Sequence, residues 1–162
     1  MAAYHKKLSA KIIPDSKIPD SKKVVQKGDP DSFYKLRPSW AFASSDTSSW
    51  PITETNTGPF FWNEIFPRMQ NLETQTWGEI LVTNKKQNHS INVEALNKCA
   101  RDRLAERMIE YEAIYSLRIT GKHRLYGYII GSTFNLLWFD DDHGDNDNCV
   151  CRSYKDKSDK RK

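Results

Sequence analysis

The sequence predicts an α+β fold of two layers, with an N-terminal strand, two to three helices and then a three-stranded antiparallel meander. Three observations predict it. Apolar residues recur at helical spacing in the middle of the chain, they alternate with polar residues in the last third, and polar or proline-containing runs separate these regions. The length of 162 residues suits one domain of ordinary size.

The net charge of +4 is unevenly distributed along the chain. Residues 1–27 sum to +5 and residues 152–162 to +4, so the remaining residues, 28–151, sum to −5. The basic N-terminal part contains a direct repeat of Ile-Pro-Asp-Ser-Lys, and its prolines and lysines disfavour a packed helix. We therefore predict a flexible basic arm over 1–30, a single α+β domain over 31–151 and a basic tail over 152–162.

Composition and cysteine content exclude several classes of protein. No stretch approaches the roughly 18 uninterrupted apolar residues of a membrane helix, and the lysines near Met1 precede no hydrophobic run of a secretory signal. Three cysteines cannot form a disulfide framework, and an odd number fits a reducing compartment. We expect a soluble cytoplasmic protein with no membrane partner.

The first strand and the first helices are each bounded by proline or by a polar capping residue. Trp40 and Phe42 alternate as in a strand, which begins after Pro38 or lies at a sheet edge because proline cannot donate to a ladder. A helix is predicted from Pro59, with a bend or break at Pro67. Its apolar positions, three or four residues apart, are Phe61, Ile65, Met69 and Leu72. Thr74 or Thr76 is suited to cap a second, short helix.

The longest apolar stripe follows a basic polar loop over 83–90. It predicts a helix from an Asn92 cap to Tyr111. The positions of the stripe are Val93, Leu96, Ala100, Leu104, Met108 and Tyr111. The amides at the start of such a helix favour anions, so the loop before it is a candidate phosphate-binding element.

The last third of the domain has the alternation of strands. Strands are predicted over 115–119, 124–129 and 133–139, joined by short turns that contain glycine. Because side chains two residues apart lie on one face, Arg124, Tyr126 and Tyr128 are expected to line up together.

Residues 115–143 resemble the terminal meander of the RelE/ParE toxin superfamily. The shared pattern is a strand with a basic residue, a turn, a second strand with arginine and an aromatic, and a third strand ending in an acid and a histidine. The resemblance implies a toxin that cuts messenger RNA in the ribosome, or a member that acts on gyrase or merely interacts. It also implies a cognate antitoxin protein as partner.

Metal-independent RNA cleavage needs a base near the 2′-hydroxyl, cations on the phosphate and an acid for the leaving oxygen. The resemblance and the residue types together give catalytic candidates Arg118, Arg124, His89 and His143. The RNA-binding candidates are Lys85, Lys86, Lys122, Tyr126 and Tyr128, the tyrosines as stacking surfaces. We thus predict a RelE/ParE-like endoribonuclease, with a non-enzymatic protein- or nucleic-acid-interaction module of the same fold as the alternative.

Two features of the sequence favour that alternative. Arginine and tyrosine on an exposed sheet face are common without catalysis, and the acidic run over 140–147 would repel a phosphate. A soft-metal site from His143, Cys149 and Cys151, with Cys99 or His89, also stays open at this stage, although the spacing fits neither a zinc motif nor a calcium loop. We predict no metal or other cofactor.

Overall fold

A computed structural model describes residues 33–143 and 149–151. The predicted basic arm and basic tail lie outside these residues. Among the described residues, no helix has both the length and the apolar character needed to cross a membrane.

A mixed five-stranded sheet forms the centre of the described structure, in the order β1-β5-β4-β3-β2. Its strands are β1 (Ser39–Ala41), β2 (His89–Asn92), β3 (Ala113–Arg118), β4 (Arg124–Ile130) and β5 (Thr133–Asp140). β1 pairs in parallel with β5 at one edge, and the other neighbouring pairs are antiparallel. The predicted meander corresponds to β3, β4 and β5, and the predicted edge strand after Pro38 is β1.

One face of the sheet is covered by two α-helices and two π-helical segments. The helices are α1 (Glu54–Phe60) and α2 (Phe66–Glu73), and the π-helical segments are Phe61–Ile65 and Glu79–Thr83. Near Pro67 the chain changes from π-helical to α-helical hydrogen bonding without leaving helical dihedral angles: Phe66 begins α2 and Pro67 is its second residue. Thr76 and Glu79 form a capping box, in which each side chain binds the other's backbone N–H.

The opposite face is covered by α3 (Lys98–Glu106) and by residues 149–151. Hydrophobic clusters therefore lie on both sides of the sheet. The first cluster includes Ile65, Leu72, Trp77, Ile80, Leu125 and Phe134, and the second includes Leu96, Leu104, Ile114, Tyr126, Trp138 and Val150. The α+β class is confirmed, but helices pack on both faces of the sheet rather than in the single helical layer of the predicted two-layer arrangement.

The apolar stripe from Val93 to Tyr111 is not one continuous helix. Asn92 caps only a 3₁₀ turn, the chain is extended at Leu96, and Asn97 caps α3 by accepting a hydrogen bond from Cys99 N–H. The interruption has a tertiary cause. Leu96 forms a β-bridge with Cys151, and Asn97 N–H donates to the carbonyl of Val150, so the chain there pairs with a distant segment.

Candidate functional site

Four strands place a row of side chains across the α3 side of the sheet. His89 of β2 lies opposite Ser116 of β3, Ser116 opposite Tyr126 of β4, and Tyr126 opposite Trp138 of β5. Paired residues share a face, and Tyr126 and Trp138 belong to the second cluster, so the whole row faces that side. The prediction that His89 lies in a loop was wrong, because its segment pairs with β3.

The next row holds three charged residues at the end of the sheet. Arg118 lies opposite Arg124, and Arg124 lies opposite Asp140. Each is two residues from a member of the first row, so the period of two puts both rows on one face. Asp140 is buried, Arg124 is 9% exposed and Arg118 is half-buried. The sheet therefore brings the two predicted arginines together beside a carboxylate.

The guanidinium of Arg124 is held by the turn between β3 and β4. Its Nη1 donates to the carbonyls of Thr120, Gly121 and His123 at 2.8, 3.3 and 3.0 Å. Arg118 Nε donates to the same Thr120 carbonyl at 3.1 Å. These bonds fix the position of both cations, and they give Arg124 a structural role in addition to any role towards a phosphate.

His143 reaches the same site from the segment after β5. Its backbone N–H donates to the Lys122 carbonyl, and its Nδ1 lies 3.0 Å from the Tyr126 hydroxyl and 4.0 Å from Asp140 Oδ2. Asp140 is itself positioned by two backbone N–H donors, Asp142 to Oδ1 and Val150 to Oδ2. Strand register and these bonds thus place both predicted histidines at one end of the sheet.

The environment keeps both histidines neutral near pH 7. Burial lowers the pKa of His143 below 6.5, and Arg124, together with His89 when it is protonated, lowers it further. Burial and Arg124 likewise lower the pKa of His89, although a hydrogen bond to the backbone of Lys85 partly offsets this. Each histidine is therefore close enough to Arg124 to respond to its charge.

The predicted lysines lie around this site. Lys85 and Lys86 are exposed in the turn before β2. Buried Asn88 anchors that turn, since its Oδ1 accepts from Arg118 N–H and its Nδ2 donates to the Ile80 carbonyl. Lys122 lies in the β3–β4 turn and pairs with Asp142 at 3.4 Å. The sequence could not show this proximity, which depends on the fold.

The two predicted stacking tyrosines are not available for that role. The Tyr126 ring is fully buried, so it cannot stack on a base. The Tyr128 ring stacks on Tyr111 with centroids 4.4 Å apart, and its hydroxyl is 2.7 Å from Ser44 Oγ. Tyr126 and Tyr128 do share a face with Arg124, as predicted, but that face packs into the second hydrophobic cluster.

Two residues of the site, Ser116 and Asp140, were not among the predicted site residues, and Cys151 was considered only as a metal ligand together with His143. The period of two in β3 and β5 is a signal for the first two, because it places them beside Arg118 and Trp138. Burial raises the pKa of Asp140, although the two backbone donors oppose this. Cys151 has no such signal, since it reaches Tyr126 through pairing of distant segments.

The cysteines do not assemble a metal centre in the described part of the chain. No three side chains of His, Cys, Asp or Glu there are arranged to hold a metal ion. The Cys149 thiol donates to the Cys151 carbonyl at 2.6 Å, and Cys99 is exposed on α3.

The chain matches no family model, no curated protein and no solved structure. Its function therefore has to be inferred from the chemistry of the site.

Proposed function

We propose that the protein is a RelE/ParE-like endoribonuclease that cleaves RNA phosphodiester bonds without a metal ion. The observation that carries the proposal is that His89 and His143, from separate segments, lie close enough to Arg124 to respond to its charge, while Arg118 lies opposite Arg124 on the next strand. Two imidazoles can act as base and acid, and two guanidinium groups can hold a phosphate. Lys85, Lys86 and Lys122 supply further positive charge for the RNA backbone.

The reaction follows from RNA's own nucleophile. One histidine takes the proton of the 2′-hydroxyl, and the 2′-oxygen attacks the adjacent phosphorus. The other histidine gives a proton to the departing 5′-oxygen, so the products are a 2′,3′-cyclic phosphate and a 5′-hydroxyl. The arginines stabilise the charge that grows on the phosphate oxygens in the transition state.

Removal of either histidine should abolish most cleavage. We expect His89→Ala and His143→Ala each to lower kcat/KM by about 100-fold or more, the usual contribution of a general acid or base. The measurement is cleavage of end-labelled RNA, with and without ribosomes, in EDTA. His123→Gln is the matched control, because His123 stacks on Phe139 on the opposite face.

The chemical specificity of that assay decides between mechanisms. A single 2′-deoxy substitution at the cleaved position should block the reaction, and added EDTA should not. Wild-type protein that leaves every RNA intact, or His89→Ala and His143→Ala variants that cut at the wild-type rate, would contradict the proposal.

The pH dependence of cleavage should reflect the lowered histidine pKa values. One histidine must be protonated and the other neutral, and both pKa values lie below 6.5. As pH rises through these values the acid loses its proton, so we expect kcat/KM to be greatest below about pH 6.5. A pH profile of initial rates tests this, and a maximum above pH 8 would exclude the two histidines as the pair.

The alternative is a protein-interaction module, and a surface on the other side of the sheet favours it. Trp62, Phe66 and Phe42 are 66%, 39% and 46% exposed, and they border an apolar groove of about 260 Å³. Glu73 lies at its edge, so the surface fits an apolar segment that carries positive charge. Absence of cleavage together with loss of partner binding in Trp62→Ser would favour this function.

A further inference from the structure

A buried hydroxyl connects His143 with a cysteine that the proposed reaction does not use. Tyr126 Oη lies 3.0 Å from His143 Nδ1 and 3.2 Å from Cys151 Sγ. The Tyr126 side chain is fully buried, whereas Cys151 and His143 are half-buried. Because water does not reach the phenol, its protein neighbours decide which way its single proton points. Besides His143 and Cys151, the buried Ser116 hydroxyl acts on Tyr126 from the neighbouring strand.

The chain of hydrogen bonds can run in two directions. In one, Cys151 S–H donates to Tyr126, Tyr126 O–H donates to His143 Nδ1, and the neutral ring carries its proton on Nε2. In the other, His143 Nδ1–H donates to Tyr126 and Tyr126 O–H donates to the sulfur, so that Nε2 has a free lone pair. Only the second direction lets Nε2 take up a proton and later release it.

The surroundings of Nδ1 favour the second direction. Asp140 Oδ2 lies 4.0 Å from Nδ1, beyond hydrogen-bond distance, and a carboxylate that close attracts a proton to that nitrogen through its charge. Among the described residues, the other charged groups that act on the ring are Arg124 and His89, and the Lys122–Asp142 pair lies nearby. Arg124 and His89 lower the proton affinity of the ring as a whole, so they do not by themselves favour one ring nitrogen over the other.

We propose that Tyr126 and Cys151 are positioning residues that hold His143 in its Nδ1–H form, with Nε2 as the nitrogen that exchanges a proton with RNA. The catalytic meaning of this arrangement rests on the proposed function. Throughout the reaction, the proton on Nδ1 remains hydrogen-bonded to Tyr126. Nε2 either takes the proton of the RNA 2′-hydroxyl or gives a proton to the departing 5′-oxygen.

The arrangement can be tested in RNA-free protein by long-range ¹H–¹⁵N NMR, which shows which ring nitrogen carries the proton. We expect His143 of the full-length wild type to be in the Nδ1–H form above its titration midpoint. Cys151→Ala removes the acceptor of the tyrosine proton, so Tyr126 should then donate to Nδ1 and the ring should change to the Nε2–H form. Cys151→Ser keeps an acceptor and should retain the wild-type form.

Tyr126 Oη bonds both His143 and Cys151, so the proposed effect of Cys151 on the ring form of His143 runs through Tyr126. Tyr126→Phe should also lower the His143 titration midpoint, by up to about one pH unit, because the charged ring loses an acceptor. Cys99→Ala, on exposed α3, is the matched control. The buried Ser116 hydroxyl faces Tyr126 across the strands and could accept the tyrosine proton when Cys151 is replaced. The double variant Cys151→Ala with Ser116→Ala removes this second acceptor.

Failure of this proposal is distinguishable from failure of the nuclease proposal. An Nε2–H form in the wild type, or an unchanged form in both Cys151→Ala proteins, overturns the positioning role whether or not RNA is cut. If the ring form changes but the protein cuts no RNA, the hydrogen-bond chain from Cys151 to His143 is supported and only its role in RNA cleavage is contradicted. If the protein cleaves RNA and the ring form also changes, Cys151→Ala should lower kcat/KM for RNA cleavage about tenfold or more, as expected when a histidine is held in the wrong tautomer. Cys151→Ser should keep kcat/KM near the wild-type value.

Discussion

Asp46→Ala is expected to lower the free energy of unfolding by about 3–5 kcal/mol, the cost of breaking a buried ion pair from one side. Asp46 is buried and accepts from Arg103 twice, with Nε to Oδ2 at 2.7 Å and Nη2 to Oδ1 at 2.9 Å. Its Oδ2 also accepts from Trp138 Nε1 at 3.2 Å, and its Oδ1 from Ser48 and Ser49 N–H. The substitution leaves these donors without their acceptor and detaches α3 from the loop after β1.

Chemical denaturation followed by tryptophan fluorescence measures this change. Glu106→Ala is the matched control, because Glu106 also binds Arg103, at 2.6 Å, but is 68% exposed. Exposed pairs contribute about 1 kcal/mol or less, so the two variants should differ clearly. Equal effects would contradict the role given to burial.

The pH dependence of the same experiment supplies an independent check on Asp46. Burial raises the pKa of this carboxyl, but the bonds from Arg103, Ser48, Ser49 and Trp138 outweigh it and hold the pKa well below its ordinary value of 3.8. A depressed pKa stabilises the folded state above about pH 4, and that stabilisation is lost as the pH falls further. The difference between wild type and Asp46→Ala should therefore shrink below pH 4.

Gly127→Ala is expected to destabilise the fold by about 3 kcal/mol or more, at the upper end of the cost of overpacking. Gly127 lies beside an irregularity in the β4–β5 register. A Cβ atom there would collide with the Asn135 carbonyl and would lie 2.7 Å from Phe134 Cζ. The carbonyl belongs to the neighbouring strand and cannot move aside without disturbing the ladder.

Gly121→Ala separates this collision from the general effect of replacing glycine. A Cβ atom at Gly121 meets nothing within 4 Å. The unfolded chain loses freedom in both variants, so Gly121→Ala should change stability by less than about 1 kcal/mol. Thermal or urea unfolding of both proteins gives the comparison, and a Gly127→Ala protein as stable as wild type would show that β4 and β5 can separate at this point.

Local patterns were enough for the elements whose stability is local. The alternation over the last third gave the three meander strands, and Pro38 marked the start of an edge strand. Of the two predicted caps, Thr74 and Thr76, Thr76 forms the capping box, because its partner Glu79 is three residues away. His123 stacks on Phe139, on the face opposite Arg124, as the alternation of side chains along a strand requires.

The interruption after Asn92 shows where a local pattern misleads. The spacing from Val93 to Tyr111 is that of a helix, yet only Lys98–Glu106 forms α3. Backbone bonding of Leu96 and Asn97 to Val150 and Cys151 breaks the first turn, while Met108 adopts a positive φ of 52° after the helix. Periodicity records which residues are apolar, but not which distant segment they contact.

The sequence by itself determined the α+β class and the order of the meander strands, because these depend on spacing along the chain, and it supplied the histidines and arginines on which the proposed reaction rests. Tertiary structure decided which of those residues meet. Strand pairing and the buried Tyr126 hydroxyl bring His89, Arg124 and His143 together. The Tyr126 ring itself is buried in the core and cannot stack on a base, and Cys151, from a distant segment, contacts the Tyr126 hydroxyl. The physical reason is that a site is made of contacts between distant segments, and their register is fixed by burial and hydrogen bonding of the whole sheet.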